Sequence, residues 1–313
     1  MFEEISRDVV QYIQESASFQ EWPECRMFLM KMLAADEAWN HALPILACKA
    51  VGGGQFDAIP VAATWITLVH AANLIDDVQD GNMSRLAQFE SLQLAITVAV
   101  AWIFSAFRML EDPSLGAETR NRITTIFASA GLDAARGQYQ DLVLGAGKSE
   151  SGDPLQAYWS AVILKSGSIG MAGAATGAAA GAGSASLVEA LGDYGTALGV
   201  IRQVIDDCRD FWIEAEFSGE QGALPAILHS MAADQPSRKR VNLKNRTWLP
   251  GARSHNQGSN MLIEAGIPEI ITDILLEWRR RALESLSILE PSEARRALEY
   301  VLEHVLTPKP YGA

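Results

Sequence analysis

Aspartates recur in one spacing at two distant places in the chain. NLIDDVQDG occupies Asn73 to Gly81 and QVIDDCRDF occupies Gln203 to Phe211, each setting apolar residues ahead of Asp-Asp-x-x-Asp. On a helix, residues four apart share a face, so Asp76 pairs with Asp80 and Asp206 with Asp210, while Asp77 and Asp207 lie about 100° round. Like charges at that spacing repel, and the apolar turns before them make the charges costlier still. A cation must compensate them. Carboxylates without histidine or thiolate suit a hard divalent ion such as Mg²⁺, which takes oxygen ligands and fills its shell with water and substrate phosphates. One such cluster is as readily an exposed acidic helix face; two, each ending an apolar helical run, point to facing metal sites bridged by a diphosphate.

The elements that must carry these aspartates read as helices. No proline lies between Pro60 and Pro113 or between Pro154 and Pro225, and apolar residues recur there at helical spacing, as in Trp65, Leu68, Val69, Ala72 and Ile75 and in Leu198, Ile201, Val204 and Ile205. No succession of alternating strands bounded by hairpin turns is visible, so the expected fold is all-α. Two uncharged stretches, Ser91 to Phe107 and Ser166 to Val188, are expected to be buried helices and not membrane spans. Ser237 to Asn260 is polar and carries Arg238, Lys239, Arg240, Lys244 and Arg246, which reads as a loop or lid within a single domain covering 1–313.

Composition narrows the partners. The 313 residues are 49% hydrophobic and 20% charged, enough to bury a large core. The net charge of −13 disfavours nucleic acid. Cys25, Cys48 and Cys208 are too few and scattered for a disulfide framework or zinc cluster, and the acidic N-terminus does not resemble a signal peptide; the expected compartment is the cytoplasm.

These motifs resemble those of the trans-isoprenyl diphosphate synthases, the polyprenyl synthetase family, with the class I terpenoid synthase fold. DDVQD resembles the family's first aspartate-rich motif and DDCRD its second. GQYQDL at Gly137 to Leu142, KSG at Lys165 to Gly167, Gln203 and Leu224-Pro225 match further landmarks in order, so the resemblance runs from about Trp39 to Pro225. It implies a helical bundle around a deep central cavity, about three Mg²⁺ ions with bound diphosphate, and a homodimer joined through Leu92 to Phe107. It also implies that Asp76, Asp80 and Asp206 are the principal metal ligands, with Asp77 and Asp210 supporting. Arg85 and Lys165 would hold the allylic diphosphate, and Gln138 and Gln203 would border the cavity. Ala71 and Ala72 stand where the family floors a short pocket, so their small size implies a substrate of about fifteen to twenty-five carbons. Trp65, Trp102, Phe104, Tyr158 and Trp159 are aromatic candidates for facing a carbocation.

The sequence departs from the family where isopentenyl diphosphate should bind. Aligned on Pro44, Asn40, His41 and Leu43 replace a lysine and two arginines; Leu86 replaces the second of the paired arginines; and Val69 stands at the histidine position, with His70 displaced by one. Glu220-Gln221 replaces a Gly-Lys, while Arg202, one turn before Asp206, is a candidate third diphosphate ligand. Charge-assisted contacts to phosphate are worth roughly 1.5–3 kcal/mol each, so with several of them gone the second diphosphate site is expected to be absent. The expectation is therefore Mg²⁺-dependent ionisation of a linear allylic prenyl diphosphate with release of diphosphate, followed by cyclisation or rearrangement. Alternatives are a prenyltransferase, either chain-elongating with isopentenyl diphosphate or acting on an aromatic or peptide acceptor, and a regulatory subunit of an active synthase.

Overall fold

The computed structural model describes residues 1–82, 86–146, 152–213, 224–233 and 262–307, and these contain helices and no strands. In chain order the helices are α1 (Phe2–Glu15), α2 (Ala17–Glu21), α3 (Pro23–Ala35), α4 (Leu43–Ala50), α5 (Ile59–Asp80), α6 (Leu92–Met109) and α7 (Ala117–Gly145). They continue with α8 (Pro154–Val162), a π-turn (Ile163–Gly167), α9 (Ser168–Ala180), α10 (Ala185–Ile213), α11 (Leu224–Ala233), α12 (Ile267–Ser285) and α13 (Glu293–Leu306). Contacts divide the chain into two compact units. The first is Met1–Ser129 with Ala172–Gly192 and Ile288–Leu298; the second is Ala130–Met171 with Asp193–Ser287 and Glu299–Ala313.

In the first unit the core helix is α5. Pro60 starts it where a missing N–H costs nothing, and every residue from Ile59 to Thr67 is buried. It ends at Gly81, whose left-handed φ of 68° lets its N–H, and that of Asn82, bond back to the carbonyl of Asp77. The first aspartate motif is thus the last turn of a helix fixed by its buried N-terminal half. Helix α6 packs on it through Ala95, Val98, Ala99, Trp102 and Ala106, with Thr64 Oγ1 donating to the Ala106 carbonyl at 3.0 Å. The glycines of α9 serve close packing: a Cβ at Gly177 would meet the Pro44 carbonyl oxygen at 2.0 Å, and one at Gly173 the Trp65 ring at 2.6 Å.

The α6 expectation needs correction. Only 33% of this helix is buried, and Leu92, Ile96, Val100 and Phe104 form an exposed stripe, Phe104 at 67%. Because the helix is apolar all round, periodicity could not separate its packed face from its bare one. Both α6 and Phe56–Asp80 are long and apolar enough to cross a membrane, though the latter is 72% buried in protein. The Ser166 to Val188 stretch is also not one helix: α9 stops at Ala180, and the chain turns through Gly181 to Ser184, with Gly183 N–H bonded to the Ala178 carbonyl, before α10 starts.

In the second unit, α10 lies against the π-turn through glycine. A Cβ at Gly199 would stand 2.1 Å from the Ser166 carbonyl oxygen, and one at Gly170 would stand 2.1 Å from the Gly195 carbonyl oxygen. From the other side Gly137 of α7 admits the Lys165 backbone, where a Cβ would lie 2.2 Å from its nitrogen. The π-turn closes with the Ser168 N–H on the Ile163 carbonyl, five residues back, and the Ser168 hydroxyl bonds the Leu164 carbonyl at 2.5 Å.

Candidate functional site

The first motif leaves its two same-face aspartates toward solvent: Asp76 is half-buried and Asp80 exposed. Asp77 points elsewhere, 5% exposed, with its Oδ1 accepting from Asn82 Nδ2 at 3.3 Å. Ala71 is fully buried and Ala72 partly exposed one position on.

The second motif lies in mid-helix. Asp206 pairs with Arg209 at 2.7 Å, and Arg202 is half-buried one turn before it. Asp207 is half-buried as a residue, with its carboxyl turned inward: Tyr158 Oη donates to its Oδ2 at 2.6 Å and Gln203 Nε2 to its Oδ1 at 2.7 Å. Burial pushes this carboxyl up to about 6, against the downward pull of the hydrogen bonds from Tyr158 and Gln203. Burial and the neighbouring Asp207 hold the Tyr158 phenol well above its ordinary value, so it remains the donor. Gln203 Oε1 in turn accepts from Ser166 Oγ at 2.5 Å. Lys165, beside Ser166, extends Nζ to Asp141 Oδ2 at 3.0 Å, and the half-buried Gln138 lies on the same helix as Asp141.

Arg85, Glu220, Gln221 and the basic segment 237–260 lie outside the described residues, and of Asp210 only the helical backbone is described. The aromatic candidates scatter: Trp102 is buried with its indole N–H on the Cys25 carbonyl at 3.2 Å, Phe104 faces outward, and Tyr158 is committed to Asp207. Sequence reasoning missed Asp207, Tyr158, Ser166 and Asp141 as a group, although Asp207 and Asp141 both lie inside the quoted motifs. It also missed a largely buried cluster in the first unit. There Asp36 Oδ2 receives His41 Nε2 at 3.2 Å and His70 Nε2 at 3.0 Å, and Ser6 Oγ meets His41 Nδ1 at 2.8 Å. Burial alone would raise the Asp36 carboxyl, but the two histidines hold it well below the usual carboxylate range.

A metal fits these motifs by donor chemistry. Among the described residues no three ligating side chains converge on one point. The first motif instead offers the carboxylates of Asp76 and Asp80 one helical turn apart and the second that of Asp206, donors for a hard cation that draws its remaining ligands from water and phosphate.

Comparison with known proteins agrees with this chemistry. Residues 38–223 match the family profile described as Polyprenyl synthetase. The chain is 25% identical over 279 residues to a short chain isoprenyl diphosphate synthase of Methanothermobacter thermautotrophicus, covering 85% of this chain and 84% of that one. It is 23% identical to a geranylfarnesyl diphosphate synthase of Methanosarcina mazei, covering 74% and 78%. Among solved structures, a geranylgeranyl pyrophosphate synthetase from Geoglobus acetivorans superposes with a TM-score of 0.78 over 98% of both chains at 20% identity. A polyprenyl synthase from Caulobacter crescentus complexed with calcium and isoprenyl diphosphate gives 0.75 over 98% and 94% at 18% identity. A profile match across more than half the chain, on an all-helical fold with two aspartate-rich helix turns, places this protein in the polyprenyl synthetase family.

Proposed function

We propose that this protein is a Mg²⁺-dependent prenyl diphosphate synthase that joins an allylic prenyl diphosphate to isopentenyl diphosphate. The family match carries the reading, together with relatives whose names are all those of chain-elongating synthases. It favours elongation over the cyclisation expected from the sequence. In the reaction the allylic C–O bond breaks and diphosphate departs with the electron pair. The acceptor's double bond then attacks the allylic carbon, and a proton leaves the acceptor.

Asp76, Asp80, Asp206 and Asp210 would hold Mg²⁺, with Asp77 buttressing the end of α5. Bound there, the ions would stabilise charge developing on the leaving diphosphate. Arg85, Lys165 and Arg202 would orient that diphosphate, and the family resemblance would have Ala71, Ala72, Gln138 and Gln203 border the path of the prenyl chain. Exclusion of water by the surrounding apolar side chains would protect the allylic cation. The exposed Leu92, Ile96, Val100 and Phe104 stripe supports a homodimer. Sedimentation of Phe104→Asp as a monomer, beside a dimeric parent, checks that assignment. Three free, buried cysteines fit a reducing, cytoplasmic setting.

One observation favours cyclisation as a second reading. His41 and His70, near the expected acceptor pocket, are turned onto the Asp36 carboxylate, and Leu43 and Leu86 are buried apolar residues at former arginine positions. Incubation with Mg²⁺ and an allylic diphosphate, with and without isopentenyl diphosphate, decides between them. A longer prenyl diphosphate formed only with both substrates supports elongation; a hydrocarbon or alcohol formed from the allylic substrate alone overturns it.

A further inference from the structure

The π-turn that carries Lys165 and the helix that leads into it are both linked to one carboxylate. Tyr158, seven residues before Lys165 on α8, donates to Asp207 at 2.6 Å; Ser166, one residue after it, reaches the same carboxylate through Gln203 by contacts of 2.5 and 2.7 Å. A π-turn holds one more residue than the α-helix it interrupts, and its backbone bonding is poorer. Relaxing it to α-helical register would swing Lys165 by about 100°, away from Asp141. The glycine contacts fix how close α7 and α10 approach the turn, but contacts without side chains do not select its register. The hydrogen-bonded circuit does, because it pins a residue on each side of the inserted one.

We propose that Asp207 is a positioning residue: bonded to Tyr158 and Gln203, it holds the π-turn in register and thereby fixes where Lys165 points. Adjacent aspartates of one motif then have separate work, Asp206 on the solvent-facing side of α10 and Asp207 on the protein-facing side. The consequence for reaction rests on the reading of Lys165 as a diphosphate ligand, whereas the geometric claim does not.

The test separates the two. Acetylation of Lys165 by acetic anhydride, read by mass spectrometry on the folded protein, reports its exposure without substrate. Asp207→Ala is expected to raise the rate at least about threefold through local opening of the turn. Asp207→Asn should stay near the parent, because an asparagine oxygen still accepts from Tyr158 and a flipped Gln203 amide completes the circuit. Should Asp207→Ala fail to fold, Tyr158→Phe removes one bond of the circuit and Gln203→Ala two, and each should raise the rate about twofold or more. Unchanged labelling across the variants that fold overturns the proposal, as does an Asp207→Asn protein that labels like Asp207→Ala. Calorimetry with inorganic diphosphate and Mg²⁺ completes the set. Asp207→Ala should weaken binding in the parent but not further in Lys165→Ala. A shifted Mg²⁺ requirement with unchanged labelling would instead make Asp207 a metal ligand. A parent protein that binds no diphosphate removes the functional reading, and the labelling still decides the positioning claim.

Discussion

DDVQD and DDCRD are nearly the same string, yet they end up as different devices. The first closes a helix: Asp77 sits under the terminal Gly81 turn, its backbone carbonyl capping the helix and its side chain holding Asn82. The second lies within a helix that continues to Ile213, and its inner aspartate is tied to Tyr158 and Gln203. In both, the outer positions fall on one face of the helical backbone because a helix repeats every 3.6 residues. The comparison teaches that the spacing encodes the outer face, while the inner aspartate takes its role from whatever packs behind it.

The outer aspartates should give the largest effects and should act alike. Asp76→Ala and Asp206→Ala are each expected to cut diphosphate release by more than about 10²-fold in a continuous phosphate-coupled assay. Inequality of two orders of magnitude would break the symmetry between the motifs.

The inner aspartates should diverge in stability. Asp207→Ala leaves the Tyr158 and Gln203 donors, at 2.6 and 2.7 Å, without their acceptor, at about 1–3 kcal/mol for each buried group left unsatisfied, whereas Asp77→Ala takes a longer 3.3 Å contact from the half-buried Asn82, which water can replace. Urea unfolding should therefore show the greater loss for Asp207→Ala, and equal losses would erase the distinction.

Within the first unit, Asp36 sharpens the contrast between solvent-facing and inward carboxylates. Its folded value lies below the ordinary 3.8, so its contribution is present above that value and disappears as pH falls further. Acid unfolding of Asp36→Asn should show a shallower loss in that range than the parent protein. The smallest effect belongs to the surface: Arg209→Ala removes a half-exposed ion pair with Asp206 and should change the unfolding free energy by about 0.5 kcal/mol or less.

Much of this was legible in the sequence, for identifiable reasons. Proline-free apolar runs marked α5 and α10, and four-residue spacing put Asp76 with Asp80 and Asp206 with Asp210. The π-turn was not legible, since one inserted residue within ILKSG leaves no compositional trace. Neither was the Asp36 cluster, whose members Ser6, Asp36, His41 and His70 meet only through packing of distant segments. The turn at Gly181 to Ser184 was hidden in a Gly/Ala run that also packs well as helix. In α6, apolar residues on every face concealed which side the core would take.

The central claim is chain elongation that depends on the two aspartate-rich motifs, and one incubation tests it most directly. Purified protein with Mg²⁺, an allylic prenyl diphosphate and labelled isopentenyl diphosphate should yield a labelled, longer prenyl diphosphate, and chelation of the metal should abolish it. Metal-dependent release of diphosphate with no label in any product, accompanied by a cyclic hydrocarbon or alcohol, would contradict it.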